Sequence, residues 1–502
     1  MTAFILVSGA HTGGWVWREV AAGLRDSGAE AYPVTLTGMG ERRHLAGPDT
    51  DLDTHIRDLV QLIDRLEAPE VVIVGHCYGI HPVLGAADLR PERIARIVYL
   101  DTGMPQDGDP AVRLVPDQAV HERLLHRAEP SEDHWRIPPP PPDEWQRWGS
   151  TAGIPADALA RLTRLAAPQP LGTLTQPLRL SGAFSELPTT GVLCTANGSS
   201  IALVENLVGL GDPRLQALTD PRVSFFELDT GHWPMLSTPD ELTEVLLRAA
   251  AGEGHRLAAA GSEQPKHLRP FLMDVPERRR ERVGRVDLYL PDAERPRPAV
   301  VFVHGGPVPP EVRPTPRDWP ALVGYGQYVA SHGLVGVTLD HRLHDLADYG
   351  RAAEDVAEAV ELVRADPRVD GDRVALWFFS GGGLLAADWL AAPPPWLRCV
   401  AATYPILAPL PNWGLADSRF RPAVAVRTAG QLPIVVTRVE LELAEIAVTV
   451  EEFLAAAKVC EAHVEVVDVP LGHHGFETID HTEQARHAVD RAVLSVLGHL
   501  RS

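Results

Sequence analysis

Short runs of apolar residues alternate with longer stretches of helical spacing, and this alternation runs through the chain twice. Continuous apolar runs indicate strands buried on both faces, and the stretches between them indicate covering helices. In the first half the apolar runs are residues 3–7, 30–36, 71–74, 97–100, 192–195 and 223–228. In the second half they are residues 286–290, 299–303, 335–339, 374–378, 399–403, 434–436 and 464–467. The pattern predicts an α/β protein with two domains, each a mostly parallel sheet covered by helices.

The two halves are separated by a stretch rich in Gly, Ala and polar residues. This composition predicts a linker over residues 251–267, between a first domain at 1–250 and a second at 268–502. The first half also carries extra chain at about 102–190, which includes three tryptophans and the proline run 138–142. Long insertions of this kind are typical of functional loops. We expect a lid over a pocket; the alternative is a surface excursion.

Composition narrows the classes of partner. The chain has 502 residues, 45% of them hydrophobic and 23% charged, which is typical of globular proteins. A formal net charge of −21, with lysine only at Lys266 and Lys458, argues against a nucleic-acid partner. The longest apolar runs are too short for a signal peptide or a membrane span, so we expect no membrane partner. Four cysteines without paired spacing favour a reducing cytoplasm and indicate neither disulfides nor zinc.

Residues 71–79 have the form of a nucleophile elbow, a strand that runs into a glycine-flanked turn. Cys77 stands at the position of the nucleophile, and the backbone N–H of Tyr78 is a candidate oxyanion donor. A second donor is expected at Ala10, in the turn after the first strand. His232 follows the last strand of this half and is the candidate general base. This setting favours catalysis over the alternative of a buried, inert cysteine.

Five stretches of the first half carry a family resemblance, and they are residues 13–17, 35–42, 51–55, 75–79 and 228–235. In these the chain resembles bacterial α/β-hydrolases related to plant methylesterases and hydroxynitrile lyases. The resemblance implies an esterase-like fold with a nucleophile, base and acid. Three departures matter: Cys77 replaces the usual Ser, Ser8 replaces the His before the oxyanion glycine, and residues 194–200 lack the family's Asp.

The missing acid leaves two residues that could orient His232. Asn197 follows the fifth strand. Its amide can be enough to orient the histidine ring, because a thiol nucleophile is partly ionised at neutral pH and needs a weaker base than a serine does. Asp101 ends the preceding strand, and a carboxylate there can still reach the imidazole. We favour Asp101 because a buried carboxylate stabilises an imidazolium more strongly; its alternative role is a cap on the next turn.

A second elbow follows the strand at residues 374–378, with Ser380 as nucleophile and Phe378 where a glycine is usual. Candidate oxyanion donors are Gly306 and Gly381. After the last strand His474 is the expected base, and Glu442 fits the position of the acid. This half resembles the dienelactone-hydrolase-like and carboxylesterase-like branch of α/β-hydrolases. An inactive second domain is the alternative, because fold resemblance alone does not establish activity.

These residues predict a hydrolase or acyltransferase that acts on an ester or thioester through an acyl-Cys77 intermediate. The substrate is a small-molecule or carrier-bound acyl compound, and ring closure in bacterial specialised metabolism is one form of the reaction. The alternatives are a lyase or isomerase with His232 as general base, a silent scaffold, or an esterase that uses Ser380. No phosphate-binding loop or metal-ligand spacing occurs, so we propose no cofactor and no metal.

Overall fold

A computed structural model describes residues 2–115, 120, 124, 135–209, 213–258, 264–415 and 418–501. The chain divides into two compact units, the first built mainly from residues before 262 and the second mainly from residues after it. The predicted boundaries at 250 and 268 stay predictions, and residues 259–263 of the predicted linker lie outside the described residues. At the start of that linker, Phe225 and His255 exchange two backbone hydrogen bonds of 2.7 and 2.9 Å.

The first unit alternates strands and helices. Its strands are β1 (Ala3–Val7), β2 (Glu30–Val34), β3 (Val71–His76), β4 (Ile94–Leu100), β5 (Arg136–Ile137), β6 (Gln169–Pro170), β7 (Thr189–Cys194) and β8 (Val223–Leu228). Its helices are α1 (Arg18–Asp26), α2 (Leu52–Arg65), α3 (Ile80–Leu89), α4 (Ala156–Leu165), α5 (Leu171–Thr175), α6 (Ile201–Gly209), α7 (Pro213–Gln216), α8 (Pro234–Ser237) and α9 (Pro239–Ala250). Helix α2 begins at a capping box in which the Asp51 carboxylate accepts from the Thr54 backbone N–H at 2.9 Å.

Six of these strands form a parallel sheet in the order β2-β1-β3-β4-β7-β8. The strands β1 and β3 are buried along their whole length, as continuous apolar runs require. The register pairs Val7 with Gly75 and Gly75 with Tyr99, so these strands end together at one edge. Residues that directly follow the strands therefore meet at this edge, which is where the candidate catalytic residues lie.

The second unit contains a larger sheet of eight strands. The strands are β9 (Arg279–Val283), β10 (Val286–Leu290), β11 (Arg297–Val303), β12 (Val335–Leu339), β13 (Val369–Phe379), β14 (Leu397–Thr403), β15 (Ile434–Leu441) and β16 (Val464–His473). The helices are α10 (Pro320–Ser331), α11 (Tyr349–Arg364), α12 (Ala386–Ala391), α13 (Pro422–Ala425), α14 (Ala444–Val459) and α15 (Glu483–Arg501). The strand order is β16-β15-β14-β13-β11-β12-β10-β9.

The predicted fold class is confirmed: each unit has a mostly parallel sheet, and each apolar run predicted as a strand forms one. In the second sheet, β10 is antiparallel to both β12 and β9. The apolar pattern missed β9 because Arg279–Val283 is mostly charged, a composition that protects an edge strand from pairing with other chains. Within the described part of the chain, no helix combines the length and apolar character needed to cross a bilayer.

Candidate active sites

Cys77 occupies a sharp turn between β3 and α3. Its φ of +50° lies in the left-handed region, which a residue with a side chain adopts only under constraint. Two glycines permit the turn: a Cβ built on Gly75 would lie 2.6 Å from the Ile80 Cα atom, and one on Gly79 would lie 2.8 Å from the Ser8 carbonyl oxygen. The turn projects a partly exposed Cys77 thiol at the carboxyl edge of the sheet.

The structure brings His232 and Asp101 together beside this thiol. The His232 Nδ1 atom lies 2.7 Å from the Asp101 Oδ2 atom, and both side chains are buried. Asp101 follows β4 with a φ of +45°. It also accepts a backbone N–H from Cys194 at 3.1 Å. Asp101, the favoured one of the two predicted orienting residues, therefore contacts the imidazole directly with its carboxylate.

Asn197 supports Asp101 instead of replacing it. Its Nδ2 group donates to Asp101 Oδ2 at 2.7 Å, and lies 3.4 Å from His232 Nδ1. Its Oδ1 atom accepts the Ser150 backbone N–H at 2.7 Å. The family's acid thus has a counterpart one strand earlier, and the amide at the expected acid position fixes that carboxylate.

The charges at Cys77 and His232 are coupled. Burial alone raises the pKa of the Cys77 thiol, but the His232 imidazole and the backbone N–H groups of Tyr78 and Ala10 outweigh burial and lower it. Burial lowers the pKa of His232, but Asp101 and the Cys77 thiol outweigh burial and raise it. Among the described residues no hydrogen bond of ordinary geometry reaches the His232 Nε2 atom, and the Cys77 thiol is a group beside the imidazole that raises its pKa. This arrangement favours a thiolate–imidazolium pair over the neutral pair.

The predicted oxyanion donors lie at this site. The backbone N–H groups of Ala10 and Tyr78 both lower the pKa of the Cys77 thiol, one from the turn after β1 and the other from the elbow itself. Such a pair can stabilise negative charge on a substrate oxygen near the sulfur. The structure places Cys77, His232, Asp101, Ala10 and Tyr78 in one cluster.

His76 also belongs to this cluster, although the sequence did not identify it. Its Nε2 group donates to the His232 backbone carbonyl oxygen at 2.7 Å, which fixes the loop that carries the imidazole. Burial and the nearby His232 hold the pKa of His76 well below its usual value, so it stays neutral. Its place inside the elbow motif was the available signal, but nothing in the local pattern showed which way its side chain points.

Part of the insertion at 102–190 packs against the site. The Ser150 carbonyl oxygen accepts the His232 backbone N–H at 2.7 Å. Gly149 lies so close to His232 that a Cβ there would overlap the imidazole ring. The rings of Trp145 and Trp233 form an edge contact with centroids 5.7 Å apart. The lid itself stays a prediction, because residues 116–119, 121–123 and 125–134 lie outside the described residues.

The second elbow closes despite Phe378. Ser380 has a φ of +48°, nearly that of Cys77. In the first elbow Gly75 packs against Ile80, five residues later; in the second, Phe378 is followed five residues later by Gly383. A Cβ on Gly383 would lie 2.6 Å from the Ile406 carbonyl oxygen, so Gly383 makes room for the segment after β14, while Phe378 is fully buried.

Ser380 belongs to a complete hydrogen-bonded triad. The Ser380 Oγ atom lies 2.8 Å from His474 Nε2, and His474 Nδ1 lies 2.9 Å from Glu442 Oε2. Glu442 is nearly buried and follows β15, as predicted. Gly306 and Gly381 pack against each other: a Cβ on Gly381 would overlap the Gly306 carbonyl oxygen. The structure therefore also brings together the predicted residues of the second site.

The two units place the acid differently. Tyr404 follows β14 with a φ of +35°, the position that Asp101 holds after β4 in the first unit. Its ring packs against the His474 ring with centroids 4.6 Å apart. With a tyrosine at that position, the carboxylate comes from Glu442, one strand further along the sheet.

Family models match the two halves of the chain separately. A family model described as "Alpha/beta hydrolase family" matches residues 4–245, and one described as "BD-FAE" matches residues 286–391. A carbendazim hydrolyzing esterase from Nocardioides sp. (strain SG-4G) is 33% identical over 251 residues, which cover 49% of this chain and 98% of that protein. Methylesterase 18 of Arabidopsis thaliana is 26% identical, over 49% of this chain and 97% of that protein. A solved alpha/beta-hydrolase from a Paenibacillus species is 19% identical with a TM-score of 0.41, over 50% of this chain and 99% of that one.

Proposed function

Because the chain belongs to the alpha/beta hydrolase family and is an enzyme of esterase type, we propose that its first unit cleaves or transfers acyl groups through a covalent intermediate on Cys77. The observation that carries this proposal is the alignment of Cys77, His232 and Asp101 at a left-handed elbow. A thiolate made available at neutral pH by an imidazolium is a competent nucleophile toward an ester or thioester.

Each of these residues has one role in the acylation step. The Cys77 sulfur attacks the carbonyl carbon, a C–S bond forms, and the N–H groups of Ala10 and Tyr78 bind the resulting oxyanion. The oxyanion collapses and the bond to the leaving oxygen or sulfur breaks. The leaving group takes the Nε2 proton of His232, while Asp101 keeps Nδ1–H in place.

The acyl group then passes to a second nucleophile. Water yields the acid, whereas an alcohol, amine or carbanion yields a transfer product, and a nucleophile within the acyl group closes a ring. His232 accepts the proton of the incoming nucleophile and the C–S bond breaks. The packing of Gly149 and Ser150 against His232 restricts access of water on that side, which supports transfer or ring closure as part of the proposal.

We place the substrate among small-molecule or carrier-bound acyl compounds of bacterial specialised metabolism. The proposal includes a reducing compartment such as the cytoplasm, because oxidation of Cys77 would block the reaction. A lyase reaction with His232 as a free base is less favoured, because the ion pair with Cys77 leaves the imidazole protonated.

We propose a second esterase site at Ser380, which the hydrogen-bonded chain from Ser380 through His474 to Glu442 supports. A serine nucleophile needs such a base and carboxylate because its hydroxyl does not ionise at neutral pH.

Mass spectrometry of the intact protein tests both proposals. The protein and its Cys77→Ala and Ser380→Ala variants are exposed to p-nitrophenyl acetate, an acyl thioester and carbendazim, the compound named for the Nocardioides esterase. We expect one acyl adduct on Cys77 that survives Ser380→Ala and is lost in Cys77→Ala. Turnover without any Cys77 adduct, persisting in Cys77→Ala, would support the lyase or the Ser380 esterase; inactivity of every form would support a scaffold.

A further inference from the structure

A single buried glutamine of the inserted segment binds the turn that carries one oxyanion donor. Gln169 lies in β6, and its Oε1 atom accepts the His11 backbone N–H at 3.0 Å. This N–H belongs to the peptide bond between Ala10 and His11. Ala167 holds the same residue from a second side, because its backbone N–H donates to the His11 carbonyl oxygen at 2.9 Å.

These contacts hold the turn in an unusual backbone conformation. His11 has a φ of +62° and is completely buried, as is Gln169. A non-glycine residue in the left-handed region requires support from its surroundings. This turn packs against Cys77, because a Cβ built on Gly9 would lie 2.9 Å from the Cys77 Cβ atom. The turn carries the Ala10 N–H that lowers the pKa of the Cys77 thiol, and its support comes from the inserted segment.

The other end of the same glutamine is fixed within the inserted segment. The Gln169 Nε2 group donates to the Thr173 hydroxyl at 2.9 Å, and that hydroxyl donates its own proton to the Pro170 carbonyl oxygen at 2.7 Å. The side chain of Tyr78, the residue that carries the second donor, is held by His55 instead. The Tyr78 hydroxyl lies 2.6 Å from His55 Nδ1, while His55 Nε2 lies 2.7 Å from the Thr37 carbonyl oxygen. Because a carbonyl oxygen can only accept, Nε2 carries the proton in the neutral ring and the Tyr78 hydroxyl donates to Nδ1.

We propose that Gln169 is a positioning residue that sets the Ala10 oxyanion donor of the Cys77 site through the Ala10–His11 peptide, with its own side chain fixed by Thr173. The inference rests on the proposed acyl chemistry at Cys77. It gives the inserted segment a part in catalysis that does not require the segment to move.

The experiment separates acylation from alkylation of the same sulfur. Acylation by p-nitrophenyl acetate develops an oxyanion, whereas alkylation by iodoacetamide does not. Both rates are measured on Cys77 in a Ser380→Ala background, with Gln169→Ala and Gln169→Leu as variants. The matched control is Gln176→Ala, which removes a glutamine of the same segment whose side chain bonds to Asp53 outside this network.

We expect the Gln169 variants to lower the acylation rate about 10- to 100-fold, since loss of one oxyanion donor costs about 100-fold or more. The limiting alkylation rate at alkaline pH stays within about twofold, and the pH midpoint of alkylation moves upward, because the Ala10 N–H no longer stabilises the thiolate. Gln176→Ala changes none of these.

Two results would overturn the role of Gln169: a parallel fall in acylation and limiting alkylation, which indicates general disruption, or no change in acylation and no shift of the midpoint. If the parent protein is not acylated at Cys77, the proposed function fails, and the alkylation midpoint alone decides whether Gln169 positions the Ala10 N–H.

Discussion

At the scale of single residues, the first site works as a set of buried polar contacts around one sulfur. Asp101 accepts from the His232 imidazole, from Asn197 and from the Cys194 backbone N–H. Three donors hold the carboxylate in position against the imidazole. Asn197 acts on His232 mainly through Asp101.

Asp101→Asn should therefore reduce turnover at the Cys77 site more than Asn197→Ala does. We expect a loss of about 100-fold or more for Asp101→Asn, because replacing a triad carboxylate by an amide disturbs the tautomer of the histidine. Asn197→Ala leaves the carboxylate in place and should cost about tenfold. Steady-state kinetics in a Ser380→Ala background measure both, and the reverse order would assign the orienting role to Asn197.

The charge state of Cys77 gives a pH prediction. Its lowered pKa keeps the thiolate present as the pH falls below the usual thiol range, and the raised pKa of His232 keeps the imidazolium present as the pH rises above the usual imidazole range. Near neutral pH, iodoacetamide should alkylate Cys77 at least about tenfold faster than Cys460. Cys460 is also half-buried, but its thiol donates to the backbone carbonyl oxygens of Val426 and Ala457 and has no imidazole beside it among the described residues.

His232→Ala should move the pH midpoint of Cys77 alkylation upward, because the thiolate loses its cation. The buried Cys194 and Cys399 should stay unlabelled in the folded protein, since burial raises the pKa of both. Peptide mapping by mass spectrometry reads out all four cysteines. Equal labelling of the four would contradict the ion pair.

At the scale of elements, the strand-to-helix turn determines where each nucleophile points. Both elbows reach the left-handed region, at φ +50° for Cys77 and +48° for Ser380. In the first, Gly75 packs against Ile80; in the second, Gly382 packs against the His304 carbonyl oxygen. The second turn therefore closes although Phe378 stands where a glycine is usual.

Gly75→Ala should destabilise the first unit. The new Cβ would lie 2.6 Å from the Ile80 Cα atom, and backbone cannot rotate away as a side chain can. Overpacking of this kind costs about 1–3 kcal/mol, so calorimetry should show that unit unfolding about 5 °C lower. The control is Gly47→Ala, whose Cβ would meet no atom within 4 Å; equal shifts in the two variants would contradict the packing argument.

At the scale of the whole molecule, the two units carry proposed sites that differ in the candidate nucleophile and in the strand that precedes the candidate acid. The first takes Asp101 after β4, and the second takes Glu442 after β15. Each site is assembled from residues of its own unit, so neither needs the other for its chemistry.

Hydrolysis of p-nitrophenyl acetate should therefore be the sum of two independent activities. Cys77→Ala and Ser380→Ala should each remove one share, the double variant should lose nearly all, and the two losses should add to the activity of the parent chain. On the natural substrate we expect Cys77→Ala to cost more, because in the described part of the chain an inserted segment packs against the site of the first unit. The opposite order would make the second unit the main enzyme.

Sequence pattern determined the features that depend on neighbouring residues. Apolar runs predicted the strands because burial on both faces demands continuous hydrophobic residues. Glycine spacing predicted the elbows around Cys77 and Ser380, because the strained turn excludes side chains there. The histidines followed from their position after the last strand of each half.

The tertiary structure decided the contacts between residues far apart in the chain. Asp101 and Asn197 both follow strands of the same sheet edge, and only the three-dimensional arrangement shows that the carboxylate, 2.7 Å from Nδ1, bonds to His232 while the amide bonds to the carboxylate. The sequence pattern did not identify Gln169 and His76, because the role of a buried polar residue is known only from its hydrogen-bond partners. Those partners lie 156 to 158 residues away in sequence, and only the parallel sheet and its insertion bring them together.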